Sequence, residues 1–213
     1  MNMPDAIHYK QCSEAWFQSR LGRATASRIA DVMAKTKSGY STSRENYMVQ
    51  LALERITGVQ ADSYTNAAIQ WGRDTEPLAR AAYEVHAGVL VEEVGMIEHP
   101  RIAMAGASPD GTIGADGLLE IKCPNSATHV NTLRSRRPSG EYITQMQWQL
   151  SCTGRAWCDF VSFDPRMPDG LQLFVIRVPR DDDYIVQLEI DVERFLEQVD
   201  AMVRELNALR EAS

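Results

Sequence analysis

The sequence predicts an α/β fold of the α+β kind, in which a central mixed β-sheet is flanked by helices. Helical patterns fill roughly the first 90 residues, and short strands, a helix, further strands and a long final helix follow, an order typical of a sheet covered by helices. The 213 residues are 44% hydrophobic and 24% charged. This composition suits one globular domain over 1–213 with its own core.

Two short helices are predicted within 13–34, because Ser13 can cap the first and a glycine interrupts the pattern. The next segment, 35–44, is basic and rich in Gly and Ser, which is typical of a mobile loop. A third helix is predicted over 43–57, with Ser43 as its cap and a glycine after its end.

A fourth helix is predicted over 67–87, where apolar residues recur at helical spacing and a glycine follows. Pro77 lies inside this pattern, and proline is tolerated only in the first turn of a helix or at a kink. We therefore expect this helix to start or bend near Glu76.

After residue 88 the sequence changes to short apolar segments separated by Gly and Pro, which is typical of strands. Strands are predicted over 89–98, 102–107, 118–123, 157–163, 171–179 and 184–190. A helix is predicted over 142–151. The final helix carries an apolar stripe that indicates a core-facing side, formed by Phe195, Val199, Met202, Leu206 and Leu209.

The net charge of −7, from 22 basic and 29 acidic residues, argues against a protein that coats nucleic acid nonspecifically, since such coating needs surplus cations. It does not exclude an enzyme that focuses positive charge in a cleft. Arginine supplies 18 of the 22 cations, and Lys122 is the only lysine beyond position 37.

Four cysteines without a C-x-x-C pair argue against a zinc site and predict buried free thiols in a reducing compartment. His86 and His99 are expected at ordinary surface or loop positions. No apolar run approaches the ~18 residues that span a bilayer, and no signal-peptide pattern is visible. We therefore expect a cytoplasmic protein with no membrane partner.

Residues 108–124 carry the clearest chemical pattern. Asp110 lies in a turn, and Glu120 and Lys122 stand two apart on the next strand, so their side chains leave one face while Ile121 points into the core. Two carboxylates and the backbone carbonyl of Ile121 can hold a hard divalent cation. A lysine beside that cation can orient an attacking water, as phosphodiester hydrolysis requires. The alternative is an exposed Glu120–Lys122 ion pair without a catalytic role.

Pro109-Asp110 and Glu120-Ile121-Lys122 resemble the PD-(D/E)-x-K nuclease motif, and their flanks resemble the phage lambda exonuclease and YqaJ-like viral recombinase family. Four further motifs similar to that family occur in the same order: Trp16-Phe17-Gln18-Ser19-Arg20-Leu21-Gly22 with Thr25-Ala26-Ser27, Trp71-Gly72-Arg73-Asp74-Thr75-Glu76, Gln145-Met146-Gln147 and Phe163-Asp164-Pro165-Arg166-Met167. The resemblance implies a restriction-endonuclease-like core and a single nuclease domain.

The resemblance also implies a site for one or two Mg²⁺ ions, for which Mn²⁺ can substitute, held by Asp110, Glu120 and the carbonyl of Ile121. Lys122 would orient the attacking water, and Glu76 would support Lys122 or the waters of the metal. Gln145 would hydrogen-bond the nucleophile or a metal ligand. Gln147, two residues further along the helix, is expected to face elsewhere.

Arg20 and Ser27 are similar to the pocket that receives a terminal 5′-phosphate in this family, with Thr25 and Ser108 as further candidates. Arginine supplies a charge-assisted fork and serine a short donor, which suits a phosphate dianion. Such a pocket favours an exonuclease, because it captures an end and places the next phosphodiester over the metal. A helix cap is the alternative role for Ser27.

The densest basic run consists of Arg134, Arg136 and Arg137, which either line a DNA channel or lie in a solvated loop. Segment 125–129 lacks an arginine that a relative carries there. His129 or the basic run is therefore a candidate for the missing contact with the DNA backbone.

The resemblance implies a Mg²⁺-dependent 5′-to-3′ exonuclease that digests one strand of linear double-stranded DNA from 5′-phosphorylated ends, releases mononucleotides and leaves 3′ overhangs. It further implies a homotrimeric ring around DNA, a single-strand annealing partner and a role in phage or prophage recombination. Two alternatives stay open from the residues: a metal-dependent endonuclease of the same fold, and a non-catalytic protein that binds DNA ends.

Overall fold

A computed structural model describes residues 11–37, 39–60 and 67–212. Its helices are α1 (Glu14–Arg20), α2 (Ile29–Met33), α3 (Thr42–Thr57), α4 (Ala67–Ala87), α5 (Ser126–Ser135), α6 (Gly140–Thr153) and α7 (Asp182–Glu211). Its strands are β1 (Ala24–Thr25), β2 (Lys35–Thr36), β3 (Gly39–Tyr40), β4 (Ile97–Glu98), β5 (Ala105–Ala107), β6 (Gly111–Ile113), β7 (Gly117–Lys122), β8 (Trp157–Phe163) and β9 (Leu173–Pro179). A 3₁₀ turn covers Ala26–Arg28.

Strands β6 to β9 form a mixed sheet in the order β6-β7-β8-β9. The β7–β8 pair is parallel, and its neighbours on both sides are antiparallel. A parallel pair needs a long crossover, which α5 and α6 supply. Lys122 at the end of β7 lies opposite Ser162 of β8. The predicted fold class, a mixed sheet flanked by helices, is confirmed.

The two faces of this sheet have separate cores. On one face, Leu119 and Ile121 of β7 pack with Ala79 and Tyr83 of α4. On the other face, side chains of β7 and β8 pack with α6 residues in a cluster of Leu118, Met146, Leu150, Cys158 and Phe160. Because successive strand residues alternate between faces, Glu120 points toward α6 while Ile121 is buried against α4.

A second sheet, in the order β1-β5-β4, joins the N-terminal segment to the strand that leads into the Asp110 turn. β1 runs parallel to β5, with Thr25 opposite Gly106. This pairing places the segment from Arg20 to Ser27 beside Ser108. Helices α2, α3 and α7 cover the sheet around a core that includes Tyr47, Trp148 and Phe195.

The strand predicted over 184–190 is wrong, because these residues form the start of α7. The Asp181 side chain accepts a hydrogen bond from the Tyr184 N–H and caps the helix. Ile185, Leu188 and Val192 are buried at helical spacing, whereas Val186 and Ile190 are exposed. The predicted core stripe of this helix holds only in its first half, because Leu206 and Leu209 are exposed.

Three other expectations need correction. The predicted loop over 35–44 contains the β2–β3 hairpin, and Ser41 rather than Ser43 caps α3. Helix α4 does not start near Glu76, because it begins at Ala67 and continues through Pro77. Helix α5 was not predicted. It is capped by Asn125, whose Oδ1 accepts a hydrogen bond from the Thr128 N–H.

His99 is not an ordinary surface or loop residue, because its ring is buried against Trp148. Its Nδ1 accepts hydrogen bonds from the N–H groups of Arg101 and Ile102, which leaves the proton on Nε2, beside Ser151 and Glu189. His86 is exposed as expected. Of the four cysteines, Cys152 and Cys158 are buried, Cys123 is half-buried and Cys12 is exposed, so the prediction of buried thiols holds for two.

The W-G and D-P-R-M motifs meet at one edge of the molecule. Asp164 is buried at the end of β8, where its carboxylate accepts hydrogen bonds from the Arg166 side chain and from Ser126. The Arg166 guanidinium stacks over the Trp71 ring at 4.3 Å. These contacts tie β8 to α4 and α5. Within the described ranges, no helix is long and apolar enough to cross a membrane.

Candidate active site

Asp110 lies in the turn before β6, and two hydrogen bonds hold it against β7. Its backbone N–H donates to the Leu119 carbonyl at 3.1 Å, and its Oδ2 accepts from the Ile121 N–H at 2.6 Å. The N–H and C=O of a strand residue point to the same edge. The Ile121 carbonyl therefore faces the same edge as Asp110, as the predicted ligand set requires.

Glu120 is almost fully buried and receives a donor on each carboxylate oxygen. Its Oε1 lies 2.6 Å from Gln145 Nε2 and 2.6 Å from Lys122 Nζ. Its Oε2 accepts a hydrogen bond from Gln149 Nε2 at 2.6 Å. Lys122 also donates to Gln145 Oε1 at 3.2 Å, so Glu120, Lys122 and Gln145 form one closed network.

The acidic corner is formed by Asp110, Glu120, Glu76 and Lys122. Neighbouring charges there shift the pKa values of Asp110 and Lys122. Burial raises the pKa of the Asp110 carboxyl well above its usual value, and the nearby charges of Glu120 and Glu76 raise it further. Burial alone would lower the pKa of Lys122, but the charges of Glu120 and Asp110 raise it above its ordinary value. Lys122 therefore stays an ammonium ion and acts as a fixed positive charge.

Glu76 reaches this corner from α4 but bonds elsewhere. Its carboxylate pairs with Arg80 at 2.7 Å, and Arg80 also pairs with Glu93. Burial raises the pKa of Glu76, and the Arg80 charge opposes this rise. Glu76 and Lys122 line a common cavity of about 370 Å³. The structure thus brings Glu76 near Lys122 without a direct hydrogen bond between them in the described part of the chain.

These residues fit a divalent cation of the hard, oxygen-binding kind. Burial and the charge of Glu120 raise the free energy of the ionised Asp110 carboxyl, and a bound cation would reverse that effect. Across 11–37, 39–60 and 67–212, no three His, Cys, Asp or Glu side chains form a cage for a metal by themselves. Two carboxylates and a carbonyl instead suit Mg²⁺, which keeps several waters and uses few protein ligands.

Arg20 is the centre of a second group of residues. Its Nη1 donates to Ser108 Oγ at 3.1 Å and its Nη2 to Thr25 Oγ1 at 3.3 Å, and its guanidinium stacks over Trp16 at 4.2 Å. Burial lowers its pKa. The described residues place no carboxylate within 4.0 Å of Arg20. A desolvated guanidinium without a counter-ion is suited to bind an anion.

Arg20, Thr25 and Ser27 line a cleft of about 750 Å³ that also includes Lys122. Ser27 is exposed there, and it caps neither the 3₁₀ turn nor α2, so the helix-cap alternative does not hold. Lys122 therefore lines both this cleft and the smaller cavity that contains Glu76, and it connects the group around Arg20 with the acidic corner.

Other candidates lie outside this cleft. Arg134, Arg136 and Arg137 are exposed at the end of α5, and none of them lines the cleft. His129 is fully buried between Ser162 Oγ and the Leu171 carbonyl, so its proposed contact with DNA is wrong.

Sequence reasoning missed several residues of the site. Gln149 contacts Glu120 directly, and its spacing of four from Gln145 was a usable signal, since residues four apart share a helix face. Gln147 faces away, as expected, and donates to the Pro179 carbonyl. The cleft is also lined by Arg23, Arg28 and Arg73. Their spacing in the sequence does not predict that they line one cleft.

The fold and the strand-end motif define a protein of the PD-(D/E)-x-K nuclease class. The chain belongs to the YqaJ-like viral recombinase domain family, whose family model matches residues 15–156. The resemblance noted from the motifs is thereby confirmed.

Several solved structures are similar to this chain, among them two exonucleases. An alkaline exonuclease from Laribacter hongkongensis (LHK-Exo) is 50% identical, with a TM-score of 0.88 over 94% of this chain and 99% of that one, and it has also been solved in complex with dAMP. A phage-related exonuclease from Haemophilus somnus 129PT, 15% identical with a TM-score of 0.70 over 86% of this chain and 96% of that one, shares the fold. No curated protein sequence matches the chain.

Proposed function

We propose that this protein, a DNA exonuclease by family and by its 50% identity to LHK-Exo, digests one strand of linear double-stranded DNA in the 5′-to-3′ direction from 5′-phosphorylated ends. It releases mononucleotides and leaves 3′ overhangs. The dAMP complex of LHK-Exo supports the release of mononucleotides, since dAMP is a mononucleotide.

One observation carries the proposal: Lys122 and the Arg20 group line the same cleft. Asp110 and Glu120 adjoin Lys122, whereas Arg20 has no counter-ion in the described ranges. A terminal phosphate bound by Arg20, Thr25, Ser27 and Ser108 would place the following phosphodiester toward Lys122. An enzyme that cuts internally has no use for a pocket of this kind.

The site residues have distinct roles in this proposal. Asp110, Glu120 and the Ile121 carbonyl would hold one or two Mg²⁺ ions, for which Mn²⁺ can substitute. A bound Mg²⁺ supplies a Lewis acid that lowers the pKa of the attacking water and offsets charge on the phosphate. Lys122 orients that water and places a positive charge beside the developing oxyanion. Gln145 fixes the ammonium group of Lys122 through its Oε1.

The wider assembly is proposed from the family resemblance. The enzyme works as a homotrimeric ring around DNA and passes its 3′ overhang to a single-strand annealing protein in phage or prophage recombination. A ring allows acidic residues to face outward while arginines face the DNA, which reconciles the net charge of −7 with a DNA substrate. Light scattering coupled to size exclusion tests the ring, since a monomeric mass would contradict it.

The decisive experiment uses one duplex in three forms, with 5′-phosphate ends, with 5′-hydroxyl ends and as a closed circle, each with Mg²⁺. Mononucleotide release that strongly prefers the phosphorylated ends is the expected result. Cutting of the circle would point to an endonuclease, and end binding without turnover would point to a non-catalytic protein. Equal rates on both kinds of end would remove the Arg20 group from the proposal.

A further inference from the structure

We infer that Gln149 is a positioning residue that holds one oxygen of Glu120 away from the metal, so that Glu120 binds the ion through its other oxygen only. This inference rests on the proposed function, because it concerns the same metal site. It adds a residue outside the Q-x-Q motif on α6.

The contact itself is short and fully enclosed. Gln149 is completely buried, and its Nε2 lies 2.6 Å from Glu120 Oε2. Gln145, one helical turn earlier on the same face, donates to the opposite oxygen, Oε1. Two amides from one helix therefore hold the two oxygens of one carboxylate, and Lys122 Nζ adjoins Oε1 as well.

The carbonyl oxygen of the Gln149 amide indicates why the side chain keeps this orientation. Its Oε1 is buried and has no hydrogen-bond partner in the part of the chain that the structure describes. A buried carbonyl oxygen without a partner is destabilising, and an apolar side chain of similar shape would avoid that cost. The reversed amide would direct this oxygen at the Glu120 carboxylate. The contact with Oε2 is therefore the polar interaction that selects this orientation.

The two oxygens of Glu120 consequently face different surroundings. Oε1 adjoins Lys122, which lines both cavities of the site, whereas Oε2 is tied to a side chain with no exposed surface. The terminal torsion of a glutamate is broad, so the carboxylate plane needs an external constraint. Gln149 supplies this constraint. Without it, Glu120 can rotate and offer either oxygen, and the ligand geometry is less well defined.

The test compares Gln149→Met with Gln147→Met. Methionine keeps similar bulk but cannot donate to Glu120. Gln147 provides the matched control, because it is buried on the same helix yet donates to the Pro179 carbonyl and accepts from the Asp181 N–H. Mn²⁺ binding is measured without DNA, by electron paramagnetic resonance of free Mn²⁺, on proteins whose circular dichroism matches the wild type.

We expect Gln149→Met to weaken Mn²⁺ binding by about 10- to 100-fold, the range found when residues that orient metal ligands are removed. Gln147→Met should leave the Mn²⁺ Kd unchanged. In DNA digestion, the Mg²⁺ concentration for half-maximal rate should rise for Gln149→Met while KM for DNA ends stays constant. Gln149→Asn, which withdraws the donor by one methylene, serves as a second variant if the methionine variant does not fold.

The outcomes separate this inference from the proposed function. Wild-type protein that binds no Mn²⁺ would contradict the metal site itself. Normal wild-type binding with an unchanged Kd in the Gln149 variants would overturn the positioning role and leave the metal site intact. An equal loss of affinity in Gln147→Met would also overturn it, because the effect would then come from a general disturbance of α6.

Discussion

Replacing Arg20 by alanine should selectively remove the preference for phosphorylated ends. The substitution deletes two donors, Nη1 and Nη2, which contact Ser108 Oγ and Thr25 Oγ1 at 3.1 and 3.3 Å. A terminal phosphate would replace these neutral partners by a charged one. A hydrogen bond to a charged group contributes roughly 1.5–3 kcal/mol.

If one such bond is the net gain from the 5′-phosphate, its loss lowers the kcat/KM ratio of phosphorylated over hydroxyl ends by roughly 10- to 150-fold, since 1.36 kcal/mol is tenfold. The assay measures kcat/KM on two linear duplexes that differ only in the 5′ group. Activity on hydroxyl ends should change much less, because the residues next to the acidic corner are untouched.

Arg23→Ala is the matched control for this experiment. Arg23 lines the same cleft, but its Nη2 already pairs with Glu98 at 2.8 Å. Its removal should therefore leave the ratio nearly unchanged. An unaltered ratio in Arg20→Ala, or an equal fall in both variants, would refute the assignment of Arg20 to the terminal phosphate.

Four other substitutions test the site and the fold. Lys122→Ala should abolish cleavage without unfolding the protein, and residual turnover near the wild-type rate would contradict its role. Asp110→Asn should also abolish cleavage yet raise Tm in EDTA, because burial and neighbouring carboxylates raise the pKa of Asp110 and so destabilise its charged form; a lower Tm would argue against this. The Arg166 hydrogen bond lowers the pKa of Asp164 to about 2, so its contribution to stability is present above its unfolded pKa of 3.8 and is lost as the pH falls toward 2. Asp164→Asn should flatten that part of an acid-unfolding curve. Burial lowers the pKa of His99, with Glu189 opposing, so stability should fall as the pH drops below about 6.5, where the unfolded state takes up the proton first. His99→Gln should remove this decline, and an identical pH profile would contradict the buried neutral ring.

The side-chain directions on strand β7 could be predicted because they depend only on neighbouring residues. Strand alternation alone places Glu120 and Lys122 on one face and Ile121 on the other, and the structure pairs the first two at 2.6 Å. The contact between Gln149 and Glu120 joins residues 29 apart across a helix–sheet interface. Its distance and orientation depend on how α6 packs on β7, which local spacing does not specify.

Segment 184–190 shows a different limit of sequence reasoning. It is rich in β-branched residues, and a short apolar run fits a strand or a helix equally well. Packing decides, because Ile185 and Leu188 are buried on one side of α7 while Val186 and Ile190 remain exposed. The predicted surface or loop position of His99 is wrong for a related reason. Its burial depends on Trp148 and Glu189, which approach from later elements of the chain.

The net charge of −7 says little about DNA binding, because the pairing of each cleft arginine matters more. Arg23 pairs with Glu98 and Arg28 with Asp31, whereas Arg20 has no ion pair in the described ranges. Under the proposed function, the end of the cleft at Arg20 therefore attracts the terminal phosphate even though the whole molecule is acidic.

Beside Lys122, the carboxyls of Asp110, Glu120 and Glu76 outnumber the cations Lys122 and Arg80 when all three are ionised. That corner then repels a phosphodiester until a bound cation offsets the excess charge. Under the proposed function, the two phosphates therefore bind under different conditions. Capture of a 5′-phosphate depends on the group around Arg20 and needs no metal, whereas approach of the scissile phosphate does. DNA ends should accordingly bind in EDTA without being cut. At alkaline pH, where the Asp110 carboxyl with its raised pKa carries its charge, Asp110→Asn should bind them more tightly than the wild type in EDTA.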